Sequence, residues 1–217
     1  MYWYFKRCEY NYVKRLLAHS SQKRNFILHV VIHFKINTME KKNKVFIATS
    51  LDGYIADKDG GIEWLHSIPN PEQIDMGYEE FTSQIDALVM GRTTFETVCG
   101  FDMDWPYNKP VFVLSNSLKK MPEKYEGKAA LVKGTLSEIL HKIHNKGYYR
   151  LYIDGGRTIQ SFLNEDLIDE MTITIIPYLL GDGIPLFSNL TGSLAFECVN
   201  SKIYLDSVVQ NRFVRSK

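Results

Sequence analysis

Residues 87–96 read Ala87-Leu88-Val89-Met90-Gly91-Arg92-Thr93-Thr94-Phe95-Glu96, an apolar run that stops at a glycine and passes directly into basic and hydroxyl residues. Four consecutive apolar residues bounded this way read as a strand buried on both faces. Thr93 and its neighbours then open a helix. The first N–H groups of a helix have no internal partner and lie at the positive end of its dipole, so such a junction favours an anion. The same logic recurs at Leu151-Tyr152-Ile153-Asp154, where Gly155-Gly156-Arg157-Thr158 precede a second helical pattern. Two such junctions in one small domain suit the several phosphates of a dinucleotide.

Outward from these junctions, strand and helix patterns alternate. Strands are predicted over residues 44–50, 87–90, 110–115, 129–133, 151–154 and 170–176, and helices over 71–84, 93–99, 135–145 and 158–163. Thr135 with Glu138 three residues on has the form of a capping box. The tail, 194–204 and 207–215, reads as a closing antiparallel pair. Alternation of this kind predicts an α/β fold with a largely parallel sheet covered on both faces.

The chain has 217 residues, 45% hydrophobic and 13% aromatic, which is enough for one sizeable core. Its net charge of +1 is unevenly spread: residues 1–38 carry seven basic groups against Glu9 alone. This basic stretch lacks a clean period and ends just before Met39, so the expected division is an N-terminal extension, 1–38, and a folded domain, 39–217. The folded part is then acidic, which is not a nucleic-acid footprint. The early apolar stretch, Phe26 to Ile36, is broken by His29, His33 and Lys35, and is far shorter than the ~20 residues a membrane span requires. Cys8, Cys99 and Cys198 lie far apart and read as ordinary thiols of a reducing compartment, here the cytoplasm. His141 and His144 share a helical face without other ligands at matching positions, so no metal is expected.

Several motifs taken in order carry a resemblance. Residues Ile47 to Ala56, Gly61-Ile62-Glu63-Trp64-Leu65, Met90 to Glu96, Val113-Leu114-Ser115, Asp154 to Thr158 and Ile176 to Phe187 resemble the dihydrofolate reductase superfamily. Within it they are most similar to the reductase domain of the bacterial riboflavin-biosynthesis deaminase-reductase. The resemblance implies a dihydrofolate reductase-like three-layer α/β/α fold, a mixed, mostly parallel sheet with a C-terminal antiparallel pair. It further implies NADPH as cofactor, a small heterocyclic substrate and a homodimer. On this likeness Gly91, Arg92, Thr93 and Thr94 meet the cofactor phosphates, Arg92 beside the ribose 2′-phosphate. Ser115 and Asn116 lie along the adenosine half, Gly155, Gly156, Arg157 and Thr158 wrap the pyrophosphate, and Ala48 and Ile55 flank the nicotinamide. The zinc signature of the deaminase partner is not found in the sequence. The implied reaction is reduction of 5-amino-6-(5-phosphoribosylamino)uracil. A dihydrofolate or pterin reductase is the first alternative, and a non-catalytic NADPH-binding module the second.

Two carboxylates are candidates for the chemistry. Asp75 lies early in the helix predicted over 71–84, and resembles the substrate-binding acid of dihydrofolate reductases in helix placement and in spacing to Gly91; the dipole equally favours an acid in a helix's first turn. Glu63, in Gly-Ile-Glu-Trp, is the other. Asp52-Gly53 reads as a tight turn that also crosses the cofactor, while Asp57 and Asp59 read as turn residues.

Overall fold

The computed structural model describes residues 40–216; the expectation for the basic extension lies outside them. In chain order the strands are β1 (Lys42–Ser50), β2 (Tyr54–Ala56), β3 (Ala87–Gly91), β4 (Val111–Leu114), β5 (Ala129–Val132), β6 (Arg150–Asp154), β7 (Glu170–Ile176), β8 (Ile184–Pro185), β9 (Phe196–Tyr204) and β10 (Val208–Arg215). The helices are α1 (Tyr78–Ser83), α2 (Arg92–Gly100), α3 (Leu136–His144) and α4 (Gly156–Asn164). Eight strands form one sheet in the order β5-β4-β3-β6-β1-β7-β10-β9. The first six run parallel, and β10 and β9 close the edge antiparallel. Strands β2 and β8 pair separately as a small ribbon.

Successive side chains of a strand point to opposite faces, and the central strands use both. Ala87 and Val89 of β3 join Leu151 and Ile153 of β6 in a core that also takes Ile139 and Ile143 of α3 and Ile159 and Phe162 of α4. Leu88 and Met90, with Tyr152, face the other way and pack with Phe81 of α1 and Phe95 of α2. Three layers result, helices covering both faces of a mostly parallel sheet. The β9–β10 hairpin turns through Leu205 (φ 49°) and Asp206 (φ 56°), two left-handed residues in succession, which matches the twist of its strands.

The strands predicted from sequence form, with ends shifted by one or two residues, and the Thr135–Glu138 capping box is made in both directions. The helix expected over residues 71–84 does not: only Tyr78–Ser83 is helical. Asn70 instead bonds both backbone groups of Ile74, and Gln73, Met76 and Gly77 all take positive φ. Asn and Asp side chains offer nearby backbone N–H groups an alternative to the helix, and here that alternative wins.

Candidate functional site

Strand topology creates the crevice before any side chain fills it. β3 and β6 are neighbours, with Met90 opposite Asp154. From their C-terminal ends the chain departs in opposite directions: α2 leads to β4 on one side, α4 to β7 on the other. Such a divergence leaves a crevice at the strand ends, where ligands of open α/β sheets bind.

The glycine junctions interlock in this crevice. A Cβ on Gly91 would lie 2.9 Å from Thr158 Oγ1, and one on Gly155 would collide with Thr94 Oγ1. Each junction therefore leaves room for a hydroxyl of the other. Gly155 also has φ +87°, a conformation L side chains rarely adopt. A Cβ on Gly156 would lie 2.7 Å from Ile55 Cδ1 of β2. Gly91, Thr94, Gly155, Gly156, Thr158 and Ile55 thus converge, although the sequence separates them widely. Thr93 and Arg157 sit exposed in the first turns of α2 and α4.

At the β3–β4 end of the crevice, Arg92 Nε donates to Glu96 Oε1 at 2.6 Å and its Nη1 to Ser117 Oγ at 3.1 Å. Ser115 Oγ lies 3.3 Å from Ser117 Oγ and accepts from Leu118 N–H. Arg92 and Ser115 therefore meet through Ser117, a residue the sequence reading missed; Asn116 beside them is exposed. Ala48 lies on β1 opposite Thr174 of β7 and packs with Trp64 and Ile176.

Ile55 is held over the crevice by Asp52. The Asp52 carboxylate accepts the Ser50 hydroxyl at 2.5 Å and the N–H groups of Leu180 and Gly181. The Ser50 hydrogen bond, aided by those N–H groups, holds its pKa below the usual carboxylate value. Leu186 N–H donates to Gly53 O, so the turn at Asp52-Gly53 is fastened to the segment that carries β8.

Asp154, the last residue of β6, is the carboxyl the sequence reading did not single out. One of its oxygens accepts Gly155 N–H at 2.8 Å. Burial pushes its pKa up to about 6, against the lowering effects of Gly155 N–H and of Tyr152. The aromatic side chains of Tyr78, Tyr107 and Tyr152 lie near enough for their ionisation to be opposed by burial and by the Asp154 charge. Tyr152 Oη donates to Phe46 O at 2.7 Å, and Trp105 packs edge-on against Tyr107 with centroids 5.2 Å apart. Asp154 is thus an acid at the end of β6 with Tyr78, Tyr107 and the core residue Tyr152 near it.

The two carboxylates expected to carry chemistry are both exposed. Asp75 is exposed, and its oxygens accept Gly77 N–H at 3.0 Å and Glu79 N–H at 2.9 Å at the start of α1. Those bonds hold its pKa below the ordinary value. Glu63 is exposed at the start of a short 3₁₀ turn, and its carboxylate lies, with that of Asp57, against Gly61. Asp57 itself accepts from Asp59 and Gly61 N–H groups as a turn residue.

Comparison with known proteins decides the family: the RibD C-terminal domain matches residues 43–209. The chain belongs to the RibD C-terminal domain family. A putative riboflavin biosynthesis protein of Shewanella sp. PV-4 is 55% identical in its crystal structure, with TM-score 0.79, covering 81% of this chain and 99% of that one. The uncharacterized protein YwjB of Bacillus subtilis is 34% identical over 181 residues, 82% of this chain and all of that protein. Dihydrofolate reductase from Enterococcus faecalis, solved in complex with NADP(H) and RAB-propyl, is 18% identical with TM-score 0.57, covering 81% and 97% of the two chains. At that identity only the fold is shared, and it is the dihydrofolate reductase-like fold. This RibD-family chain is thus a member of a riboflavin-pathway reductase family. Among its described residues no helix is long and apolar enough to cross a membrane.

Proposed function

We propose that this RibD-family protein is an NADPH-dependent reductase of a small heterocycle, with 5-amino-6-(5-phosphoribosylamino)uracil as its nominal substrate. The observation that carries this reading is the interlocking of Gly91 with Thr158 and of Gly155 with Thr94 at the divergence of β3 and β6. A backbone cradle that a Cβ would fill is what a dinucleotide's phosphates require, and two helix N-termini aim their free N–H groups there. Gly91, Thr93, Thr94, Gly155, Gly156, Arg157 and Thr158 would hold the phosphates. Arg92, Ser115, Asn116 and Ser117 would take the adenosine end, Arg92 facing a 2′-phosphate, with Ala48 and Ile55 beside the nicotinamide.

NADPH, when bound, supplies a hydride from its nicotinamide ring. The protein's own part is orientation and electrostatics. Tyr78 and Tyr107 would flank a ring, and Asp154, with a pKa of about 6, would hold a proton close to neutral pH for the substrate atom that gains negative character. Asp75, committed to the backbone at the start of α1, would hold that helix's first turn. The same two tyrosines would serve a pterin as well as a pyrimidine, so dihydrofolate is the second substrate to assay. In this reading the enzyme acts as a cytoplasmic homodimer, and light scattering of the purified chain checks the oligomer.

The test is steady-state NADPH oxidation with each substrate. Arg92→Ala should weaken NADPH at least tenfold while leaving NADH nearly unchanged, because only NADPH carries the 2′-phosphate. Equal losses for the two cofactors would remove the assignment of Arg92. Tight NADPH binding with no turnover on either substrate would leave a binding module in place of an enzyme.

A further inference from the structure

A cavity of about 340 Å³, lined by none of the glycine-junction residues, lies between α1 and the β7-β10-β9 end of the sheet. Helices covering a sheet normally bury apolar side chains against it. Here Phe46 and Phe81 are the apolar part, and the remaining lining is polar or charged. Helix α1, at six residues, is too short to cover this end.

The charges in the groove are segregated. Glu80 and Phe81 of α1, with the flanking Gly77 and Gln84, give the helix wall, where the Glu80 carboxylate has no hydrogen bond or ion pair among the described residues. The sheet wall carries Asn200, Lys202 and Arg212, all donors. Glu170, at the base, is already served: buried Lys44 lies 3.4 Å from its Oε1 and Arg212 Nη1 3.8 Å from the same atom. Lys44 also donates to Gln84 at 3.0 Å, which ties helix wall to floor. Arg212 keeps unspent N–H groups, and Lys202, whose ammonium lies 4.2 Å above the Tyr204 ring, enters no ion pair among the described residues. Two cations on one wall and a carboxylate on the other form a dipolar groove of small-molecule size.

We propose that this groove is a second small-molecule site, taking a metabolite with an oxyanion at one end and a hydrogen-bond donor at the other. Arg212, Lys202 and Asn200 receive the oxyanion, and Glu80 accepts from the donor end. Phosphate and carboxylate share this chemistry, and two probes separate them: glycerol 3-phosphate and L-aspartate, each titrated calorimetrically into the full-length protein.

At least one probe should bind saturably at millimolar concentration or below. The Lys202→Gln/Arg212→Gln double variant should weaken it tenfold or more, and Lys202→Gln alone by a smaller factor. Saturating NADPH should leave the probe's affinity unchanged, since the groove is separate from the glycine junctions. No saturable heat with either probe overturns the proposal, as does binding that the double variant leaves intact or that NADPH displaces. NADPH affinity of the variants, measured in parallel, reports on the crevice independently. An unshifted NADPH affinity with lost probe binding supports the groove, whereas loss of both in a variant that keeps its melting temperature counts against it.

Discussion

Asp154 shows how one residue can be plain in sequence and opaque in role. Its place at the end of an apolar run, before Gly155-Gly156, is legible. Its raised pKa is not, because the burial that raises it is set by packing between distant parts of the chain. The sign of its effect on stability follows from linkage. A carboxyl with pKa 3.8 unfolded and about 6 folded binds more protons in the native state between those values, so stability falls as pH rises through that window. The two units or so correspond to at most about 3 kcal/mol. Asp154→Asn, which never ionises, should therefore raise the melting temperature at pH 8 while changing it little near pH 4. If Asp154 carries the proton, the wild-type kcat should decline above about pH 6, and Asp154→Asn should cut turnover and abolish that limb. A variant with full turnover and an unchanged profile would exclude the role.

Among the elements, the glycine junctions and the start of α1 respond in opposite ways to substitution. Gly155→Ala meets two penalties, a positive φ and a collision with Thr94 Oγ1. A strained backbone position alone costs on the order of 1–3 kcal/mol. The variant should lose that much stability in urea unfolding and bind NADPH more weakly; a neutral result would mean the junctions are not interlocked. The Asp75 carboxylate, two residues before the N-cap Gly77, accepts the Glu79 N–H in the first turn of α1, and an Asn side-chain oxygen can accept the same bond. Asp75→Asn should then leave stability and turnover near wild type, while Asp75→Ala should cost about 1 kcal/mol with turnover kept. A large drop in kcat for Asp75→Asn would restore Asp75 as the catalytic acid. The sequence could not separate these roles, because an acid that bonds the first turn and a substrate-facing acid occupy the same helix start. Nor could it foresee that Asn70 and Asp75 side chains would claim the backbone where a longer helix was expected.

For the whole molecule, the family match begins at residue 43 and β1 at Lys42, and we propose that the fold forms without residues 1–38. Deleting residues 1–38 should give a soluble protein with a cooperative melt and unchanged NADPH affinity. Insoluble product would place the extension within the core. At this scale the two ends of the sheet differ in kind. Its parallel centre provides a crevice at the C-terminal strand ends, and its antiparallel edge provides a polar groove beside α1.

The layered α/β fold and the two strand–glycine–helix junctions are legible in the amino-acid sequence alone. Apolar periodicity, glycine and capping residues act over a few neighbours, and one chain displays them in full. That those junctions share one crevice, that Asp154 is buried near Tyr78 and Tyr107, and that Lys202 and Arg212 line a groove with Glu80 emerges only once the chain is folded. Strand order and long-range packing set these relations, and they join residues that no local pattern links.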